Sequence, residues 1–548
     1  MPEPAAISYV SGPGPVPLLG ETIGANLDRT VAAHPDNDAV VSVHQGIRLS
    51  YAAFAEAVEE VARGLLGIGV EAGERVGIWA PNSAEWAILQ YATAKMGAIL
   101  VNLNPAYRSS EIAYALGQAG VSTLVMAPRF RSIDYVATLD EVAGDLPGLT
   151  RRIVLGGDTP AGSMSWDDLR DAASGATADQ LRAREAVLQF DDPVNIQYTS
   201  GTTGFPKGAT LSHHNILNNG YFVGRGCGYT DADRVCVPVP LYHCFGMVMG
   251  NLACTTHGAT IVYPAEGFEP EATLAAVAAE RCTSLYGVPT MFIAELDHPG
   301  FAGHDLSSLR TGIMAGSPCP VEVMKRVRAE MHMDEVTICY GMTETSPVSF
   351  QTATDDPVDK RVGTVGRVHP HVEVKVVDPD SGRVVPRGEP GELCTRGYPV
   401  MLGYWDNAEA TAESIDRAGW MHTGDLAVLD DDGYANIVGR IKDLVIRGGE
   451  NVYPREVEEF LYGHPAIADV QVIGVPDERY GEELCAWVRL RDGEQAGGDE
   501  LRDWCQGRIA SFKVPRYWRF TDEFPMTVTG KVQKFKMREV SIEELGLK

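Results

Sequence analysis

None of the ten cysteines, which run from Cys227 to Cys505, stands in a CxxC pair, and no HExxH or other paired metal-ligand spacing occurs. Thiols scattered in this way read as reduced packing residues, not zinc ligands or disulfides, and they favour the cytoplasm. Positive charge is scarce as well: 46 Lys and Arg against 74 Asp and Glu leave a net charge of −28. A field of that sign repels nucleic acid and anionic membrane surfaces, so no nucleic-acid partner is expected, and a polyanionic ligand needs a local basic patch. The opening MPEPAAISYVSGPGPVP places Glu3 where a signal peptide carries Lys or Arg, and its prolines interrupt any apolar run, so no export signal is expected. The longest stretch without a formal charge, 235–265, contains three prolines together with Asn251, Thr255, Thr256 and His257. It reads as a buried folded segment and not as an integral membrane span. No repeat of 20 to 50 residues occurs, which excludes a solenoid or propeller.

What is present is a chain of 548 residues, 45% hydrophobic and 22% charged, enough for about three to five structural units at the usual domain size. That balance excludes a disordered chain, a collagenous one or a disulfide-stapled mini-protein. Helical spacing over 51–66, 84–96 and 269–279 alternates with β-rich runs at 75–79, 123–126 and 260–263, the texture of βαβ units and a largely parallel sheet. From about 371 the pattern turns to strand alternation (VEVKVVD) with turn-rich links up to about 438. After the Gly- and charge-rich GRIKDLVIRGGEN, a helix (454–461), two strands (468–475 and 484–490) and a helix (499–509) are predicted. The expected fold is α/β: a large N-terminal domain, 1–440, of parallel-rich sheets with helices and a small β-rich subdomain at about 371–438, followed by a smaller mobile α+β domain, 441–548.

The strongest chemical segment is YTSGTTGFPKG, residues 198–208. Hydroxyl residues and glycines surround phosphate oxygens well, and the lysine adds charge. The segment is not a Walker A loop, because Lys207 lies between Pro206 and Gly208 where GxxxxGK[ST] is required. The plain alternative is a polar turn between a strand and a helix.

This segment resembles the phosphate-binding signature of the adenylate-forming (AMP-binding) superfamily, which includes acyl-CoA synthetases, amino-acid adenylation domains and luciferases. Five further segments match in order: YGMTET (340–345), GELCTRGYPVMLGYW (391–405), GWMHTGD (419–425), GRIKDLVIRGGENVYPREVE (439–458) and PMTVTGK (525–531). The resemblance covers essentially the whole chain. It implies an enzyme in which a carboxylate attacks the α-phosphorus of ATP, giving acyl-AMP and pyrophosphate, before a thiol displaces AMP.

On that resemblance Thr199, Ser200, Gly201, Thr202, Thr203, Gly204 and Lys207 form the pyrophosphate cradle. Glu344 is the metal-binding carboxylate, with Thr199 beside it, and oxygen ligands suit Mg²⁺. Tyr340 offers a face to adenine, with Gly341 and Thr343 in the same motif; Asp425 and Arg440 take the ribose, and Gly316 and Ser317 let the chain pass close to the nucleotide. Lys531 is the lysine that reaches the carboxylate and α-phosphate in the first half-reaction. Lys442 matches the hinge about which the small domain alternates, and Gly449 in RGGEN leaves room for a pantetheine arm. Between Lys513 and Arg538 seven cations (Lys513, Arg516, Arg519, Lys531, Lys534, Lys536, Arg538) face Asp522 and Glu523. They read as a basic edge for the coenzyme A phosphates, or as a solvated face.

In PLYHCFGM (240–247) His243 matches a residue that gates the acyl pocket, with a hydrogen-bonded core histidine as the alternative. The flanking 235–265 stretch offers no Asp or Glu to an α-ammonium, while Phe245, Gly246, Met247, Met249 and Gly250 suit an apolar, elongated pocket. Residues 78–108 also resemble the fatty acyl-CoA synthetase branch. The reading is therefore an ATP- and Mg²⁺-dependent ligase joining a medium- or long-chain fatty acid to coenzyme A. A fatty acyl-AMP ligase serving a carrier protein, or a ligase for aryl or short-chain acids, stays open, and so does a homo-oligomer.

Overall fold

A computed structural model describes residues 6–199, 206–317, 319–448, 450–506, 508–527 and 532–547. The chain forms two compact units. The larger holds Ser11–Glu373 and Thr395–Met421; the smaller holds Met1–Val10, Val374–Cys394 and His422–Lys548. The β-rich stretch at 371–438 is thus divided: 374–394 and 422–438 fall with the residues after 440, and 371–373 and 395–421 with the larger unit.

Two sheets make the larger unit. The first has eight strands in the order Met164–Ser165, Arg151–Val154, Val121–Met126, Arg75–Trp79, Ile99–Asn102, Pro193–Thr199, Lys207–Ser212 and Gly403–Tyr404. It is parallel as far as Pro193–Thr199 and antiparallel beyond. The second has nine strands: Arg367–Val368, Val348–Gln351, Glu335–Gly341, Thr311–Ala315, Ser284–Gly287, Arg234–Cys236, Thr260–Tyr263, Asp38–Ser42 and Ile47–Ser50. Its centre is parallel and only its margins are antiparallel.

Local sequence explains the helices that cover these sheets. Tyr51–Gly67 starts where the Ser50 hydroxyl accepts the Ala53 amide, and it buries Tyr51, Phe54, Val58, Val61, Ala62 and Leu65, an i, i+3, i+7 stripe. Phe54 is fully buried, so truncating it to Ala costs about 3–5 kcal/mol. Ala84–Met96 is buried nearly all round and ends at Gly97, whose φ of 81° is left-handed; a Cβ there would also meet Leu188 Cδ2 at 2.6 Å. The uncharged 235–265 stretch folds as the strand Arg234–Cys236, a wide π-helical segment Phe245–Leu252 continuing into Ala253–Thr255, and the strand Thr260–Tyr263. All of Phe245–Leu252 is buried. No described helix is long and apolar enough to cross a membrane.

The smaller unit carries two five-stranded sheets. One runs Tyr9–Ser11, Val372–Val377, Gly391–Gly397, Met421–Leu429 and Ala435–Arg440. The other runs Glu450–Val452, Val445–Arg447, Gly481–Leu490 and Ile467–Asp477, with Tyr517–Phe520 parallel on Gly481–Leu490. The strand alternation is apolar on both sides: Leu484, Ala486 and Val488 join one core with Val457 and Leu461, while Cys485 and Trp487 join another with Met537. Helices Pro454–Tyr462 and Lys534–Leu545 both pack on Ile467–Asp477. The last helix is absent from the sequence reading because it buries only Met537 and Ser541, too sparse a stripe to register. The helix predicted at 499–509 spans Gly498–Cys505, since Gln506 turns extended at φ −61°, ψ 129°.

One buried group in the larger unit has a pH signature. Glu295, in the helix Pro289–Leu296, is 1% exposed and neither carboxyl oxygen has a partner among the described residues. Burial therefore pushes its pKa well above the usual carboxylate range. The folded state keeps this proton where the unfolded chain, titrating near about 4.3, has released it, so stability falls as pH rises above that value. Glu295→Gln should gain in urea midpoint over the parent chain, by more at pH 8 than at pH 5. An equal difference at both pH values would show that Glu295 is not held protonated.

Candidate active site

The hairpin between Pro193–Thr199 and Lys207–Ser212 frames the glycine- and hydroxyl-rich segment. Its register pairs Thr199 with Lys207 and Tyr198 with Gly208, so the first and last polar groups of the motif stand opposite each other. The segment therefore links two antiparallel strands, not a strand and a helix; the helix His213–Gly226 follows only after the second strand. Tyr198 is tied into the scaffold, its hydroxyl donating to Gln118 Oε1 at 2.6 Å with Ala115 O 2.8 Å away. Ser200, Gly201, Thr202, Thr203 and Gly204 lie outside the described residues.

Glu344 meets this hairpin. It sits in the short turn Thr343–Thr345 just past the strand Glu335–Gly341 and is 5% exposed. Its Oε1 accepts from the Thr199 hydroxyl at 3.0 Å and from the Tyr404 hydroxyl at 2.9 Å. Lys207 Nζ lies 5.0 Å from the centroid of the Tyr404 ring. The structure thus brings together Thr199, Lys207 and Glu344, all singled out from sequence, and adds Tyr404, which was not. Burial and the neighbouring Glu344 charge push the Tyr404 phenol well up, so it remains a donor at neutral pH. Its only sequence signal was membership of GELCTRGYPVMLGYW.

Tyr340 is half-buried at the end of the strand Glu335–Gly341, edge-on to Phe350 with centroids 6.2 Å apart. Thr343 is buried beside it. Gly341 is required by packing: a Cβ would lie 1.6 Å from the Pro347 carbonyl oxygen. Gly316 has φ 92°, a backbone that side chains resist, and Ser317 follows half-buried.

His243 is half-buried, and its Nδ1 accepts the Phe245 amide at 3.1 Å, so the ring caps the start of Phe245–Leu252 while Nε2 carries the proton of the neutral form. Buried amides line this segment, a feature the apolar reading from sequence missed. Met247 Sδ receives the side-chain amides of Asn102 and Gln197, each at 3.1 Å, and Gln90 donates to Met247 O at 3.1 Å. Burial holds the Cys244 thiol up at about 12, with its Sγ directed to Gln197 Oε1.

In the smaller unit Asp425 and Arg440 are register partners on Met421–Leu429 and Ala435–Arg440, and Arg440 Nε donates to Asp425 Oδ1 at 2.9 Å. Asp425 is 6% exposed. The turn before it is braced by Glu392, which accepts from His422 Nδ1 at 2.8 Å and from the Gly424 amide at 3.2 Å, with Cys394 Sγ 3.6 Å from His422 Nδ1. Glu392 is thus a second supporting residue hidden inside a motif. Lys442 is exposed in the turn Ile441–Asp443 directly after Arg440. Gly449 and Lys531 lie outside the described residues.

The cationic stretch 513–538 changes character in three dimensions. Arg516 pairs with Asp477 at 2.8 Å, Arg519 with Glu544 at 2.7 Å, Lys534 with Glu458 at 2.6 Å, Arg538 with Glu482 at 2.9 Å, and Lys513 with Glu456. A basic edge for coenzyme A is therefore largely neutralised by acids from elsewhere in the chain, which a sequence window does not contain.

The Gly341 contact is testable directly. Its neighbour is backbone and no side-chain rotation relieves the clash, so Gly341→Ala should lower stability by about 3 kcal/mol in urea unfolding. An unchanged midpoint would mean that the Pro347 carbonyl does not pass this close.

Residues 27–405 match the AMP-binding enzyme family and residues 456–531 match the AMP-binding enzyme C-terminal domain. The Bacillus subtilis protein YngI is 48% identical over 97% of this chain and 99% of its own length. A mitochondrial medium-chain acyl-CoA ligase of Danio rerio, ACSF2, is 47% identical over 98% of this chain and 91% of its own. The crystal structure of the anthranilate CoA ligase AuaEII in complex with anthranoyl-AMP superposes with a TM-score of 0.86 at 27% identity, covering 97% of this chain and 99% of that one. With the Thr199–Lys207 pair, Glu344 and the Asp425 turn among the described residues, the chain belongs to the AMP-binding, adenylate-forming enzyme family.

Proposed function

We propose that this chain is an ATP-dependent acyl-CoA ligase whose acid is a medium- or long-chain fatty acid. The observation that carries the adenylation chemistry is the meeting of Thr199, from the phosphate signature, with the buried carboxylate of Glu344 at 3.0 Å. Two oxygen donors held together in this way, beside the Lys207 ammonium, form a set suited to a hard cation and to phosphate oxygens. Thr199 and Glu344 would hold Mg²⁺, which when bound would neutralise charge on the triphosphate.

The two half-reactions balance simply. A carboxylate oxygen of the fatty acid attacks the α-phosphorus and pyrophosphate leaves; then the coenzyme A sulfur attacks the acyl carbon, its proton is released and AMP leaves. Thr199, Ser200, Gly201, Thr202, Thr203, Gly204 and Lys207 cradle the phosphates, Tyr340 faces adenine with Gly316, Ser317, Gly341 and Thr343 around it, and Asp425 with Arg440 binds the ribose. Lys531 neutralises charge where the two anions meet. Residues 441–548 act as the alternating lid, Lys442 is its hinge, and Gly449 passes the pantetheine arm. A fatty acid as substrate is supported by the uncharged, fully buried segment Phe245–Leu252, which offers no anion for an amino acid, and by the medium-chain ligase among the relatives. His243 stands at the entrance of this segment as its gate. Ten free, buried cysteines suit the reducing cytoplasm proposed for the chain.

AMP release from ATP, followed across carboxylates from acetate to palmitate plus benzoate with and without coenzyme A, should peak at one fatty chain length and require coenzyme A. Pyrophosphate without coenzyme A-stimulated AMP would move the acceptor to a carrier protein, and silence throughout would refute the ligase. Lys531→Ala should abolish acid-dependent pyrophosphate formation while sparing coenzyme A attack on supplied acyl-AMP; equal loss of both would refute its assignment to the first half-reaction.

A further inference from the structure

Tyr404 occupies the two-residue strand Gly403–Tyr404 at the margin of the eight-stranded sheet, paired opposite Ala209. Its segment is stitched to the hairpin by main chain. Leu402 N donates to Thr210 O at 2.9 Å, and Trp405 N donates to Gly208 O at 2.7 Å. It is stitched to the Glu344 turn as well, where Met401 N donates to Glu344 O at 2.9 Å. The side chain then touches both charges of the site. Its hydroxyl and that of Thr199 donate to the same oxygen, Glu344 Oε1, at 2.9 and 3.0 Å, and its ring lies under Lys207 Nζ at 5.0 Å.

We infer that Tyr404 is a positioning residue for adenylation: with Thr199 it occupies Glu344 Oε1, leaving Oε2 as the oxygen offered to a divalent cation, while its ring face steadies the Lys207 ammonium. The inference rests on the ligase reading and extends it to a residue that acts through Glu344 and Lys207. Two donors on one carboxylate oxygen restrict rotation of the group, so the other oxygen is presented in a fixed direction before any cation arrives. A cation over an aromatic face is held without an anion that would compete with phosphate for it.

Tyr404→Phe keeps the ring and removes only the hydroxyl; Tyr404→Leu removes both; Glu344→Gln removes the carboxylate charge. The probe is Mn²⁺ with the non-hydrolysable α,β-methylene analogue of ATP, bound Mn²⁺ being read from the loss of the free-ion EPR signal on full-length protein. Tyr404→Phe should weaken Mn²⁺ binding by about tenfold, the size of one hydrogen bond to a charged group. It should raise the half-saturating Mg²⁺ for pyrophosphate release by a similar factor, with KM for the fatty acid unchanged. Tyr404→Leu should in addition raise KM for ATP about threefold over Tyr404→Phe through the lost ring contact. Wild-type Mn²⁺ affinity in Tyr404→Phe, with Glu344→Gln weakened, overturns the inference and leaves the ligase reading standing. Wild-type affinity in Glu344→Gln as well overturns the inference together with the metal role of Glu344. A fall in kcat with urea midpoint and no change in Mn²⁺ affinity would make Tyr404 merely structural and would also overturn it.

Discussion

The hydrogen bond from Thr199 to Glu344 is the contact on which the site depends, because its two ends come from different sheets. Thr199 closes the strand Pro193–Thr199 of the eight-stranded sheet, and Glu344 follows the strand Glu335–Gly341 of the nine-stranded one. Both strands belong to the parallel part of their sheets on one side, so both residues are delivered at carboxyl ends, where open α/β sheets place their ligand-binding groups. If either sheet slipped by one residue, a side chain would turn to the opposite face and the pair would be lost. The long buried cores behind these strands therefore serve to fix a few polar atoms.

Burying polar groups in such a place is costly unless each has a partner. Glu344 answers this with two hydroxyl donors on one oxygen, and Met247 with two amides on its sulfur. Glu392 does the same in the smaller unit, holding His422 and the Gly424 amide and so shaping the turn that presents Asp425. Glu295 is the contrast: it has no partner and keeps its proton instead. The unsatisfied carboxylate is neutralised by its surroundings.

Much of the architecture is legible in local pattern. The strand Arg75–Trp79 and the helices Tyr51–Gly67, Ala84–Met96 and Pro270–Glu280 follow from apolar spacing, caps and the positions of glycine to within a residue or two. The helix Lys534–Leu545 escapes because its partner surface is a sheet formed by distant residues and it needs only Met537 and Ser541 to dock. The motifs named Thr199, Lys207, Glu344, Tyr340, Asp425 and Arg440 as candidates. They gave no hint that Tyr404 and Glu392 support them, since support is a matter of which side chains meet across strands. The cations of 513–538 misled for the same reason: Glu456, Glu458, Asp477 and Glu482 precede them by tens of residues and become neighbours only on folding.

By itself, the sequence determined the alternation of helix and strand, the acidic surface, the absence of paired cysteines, and the order of motifs that mark an adenylate-forming enzyme. These are properties of near neighbours along the chain, set by backbone propensity, hydrophobic period and residue chemistry. Only the tertiary structure decided that Thr199 and Tyr404 share one oxygen of Glu344, that the uncharged helix Phe245–Leu252 is lined with buried amides, and that most cations of 513–538 are already paired. Each of these depends on atoms brought within about 3 Å from far along the chain, a distance at which direction and desolvation, and not composition, set the energy.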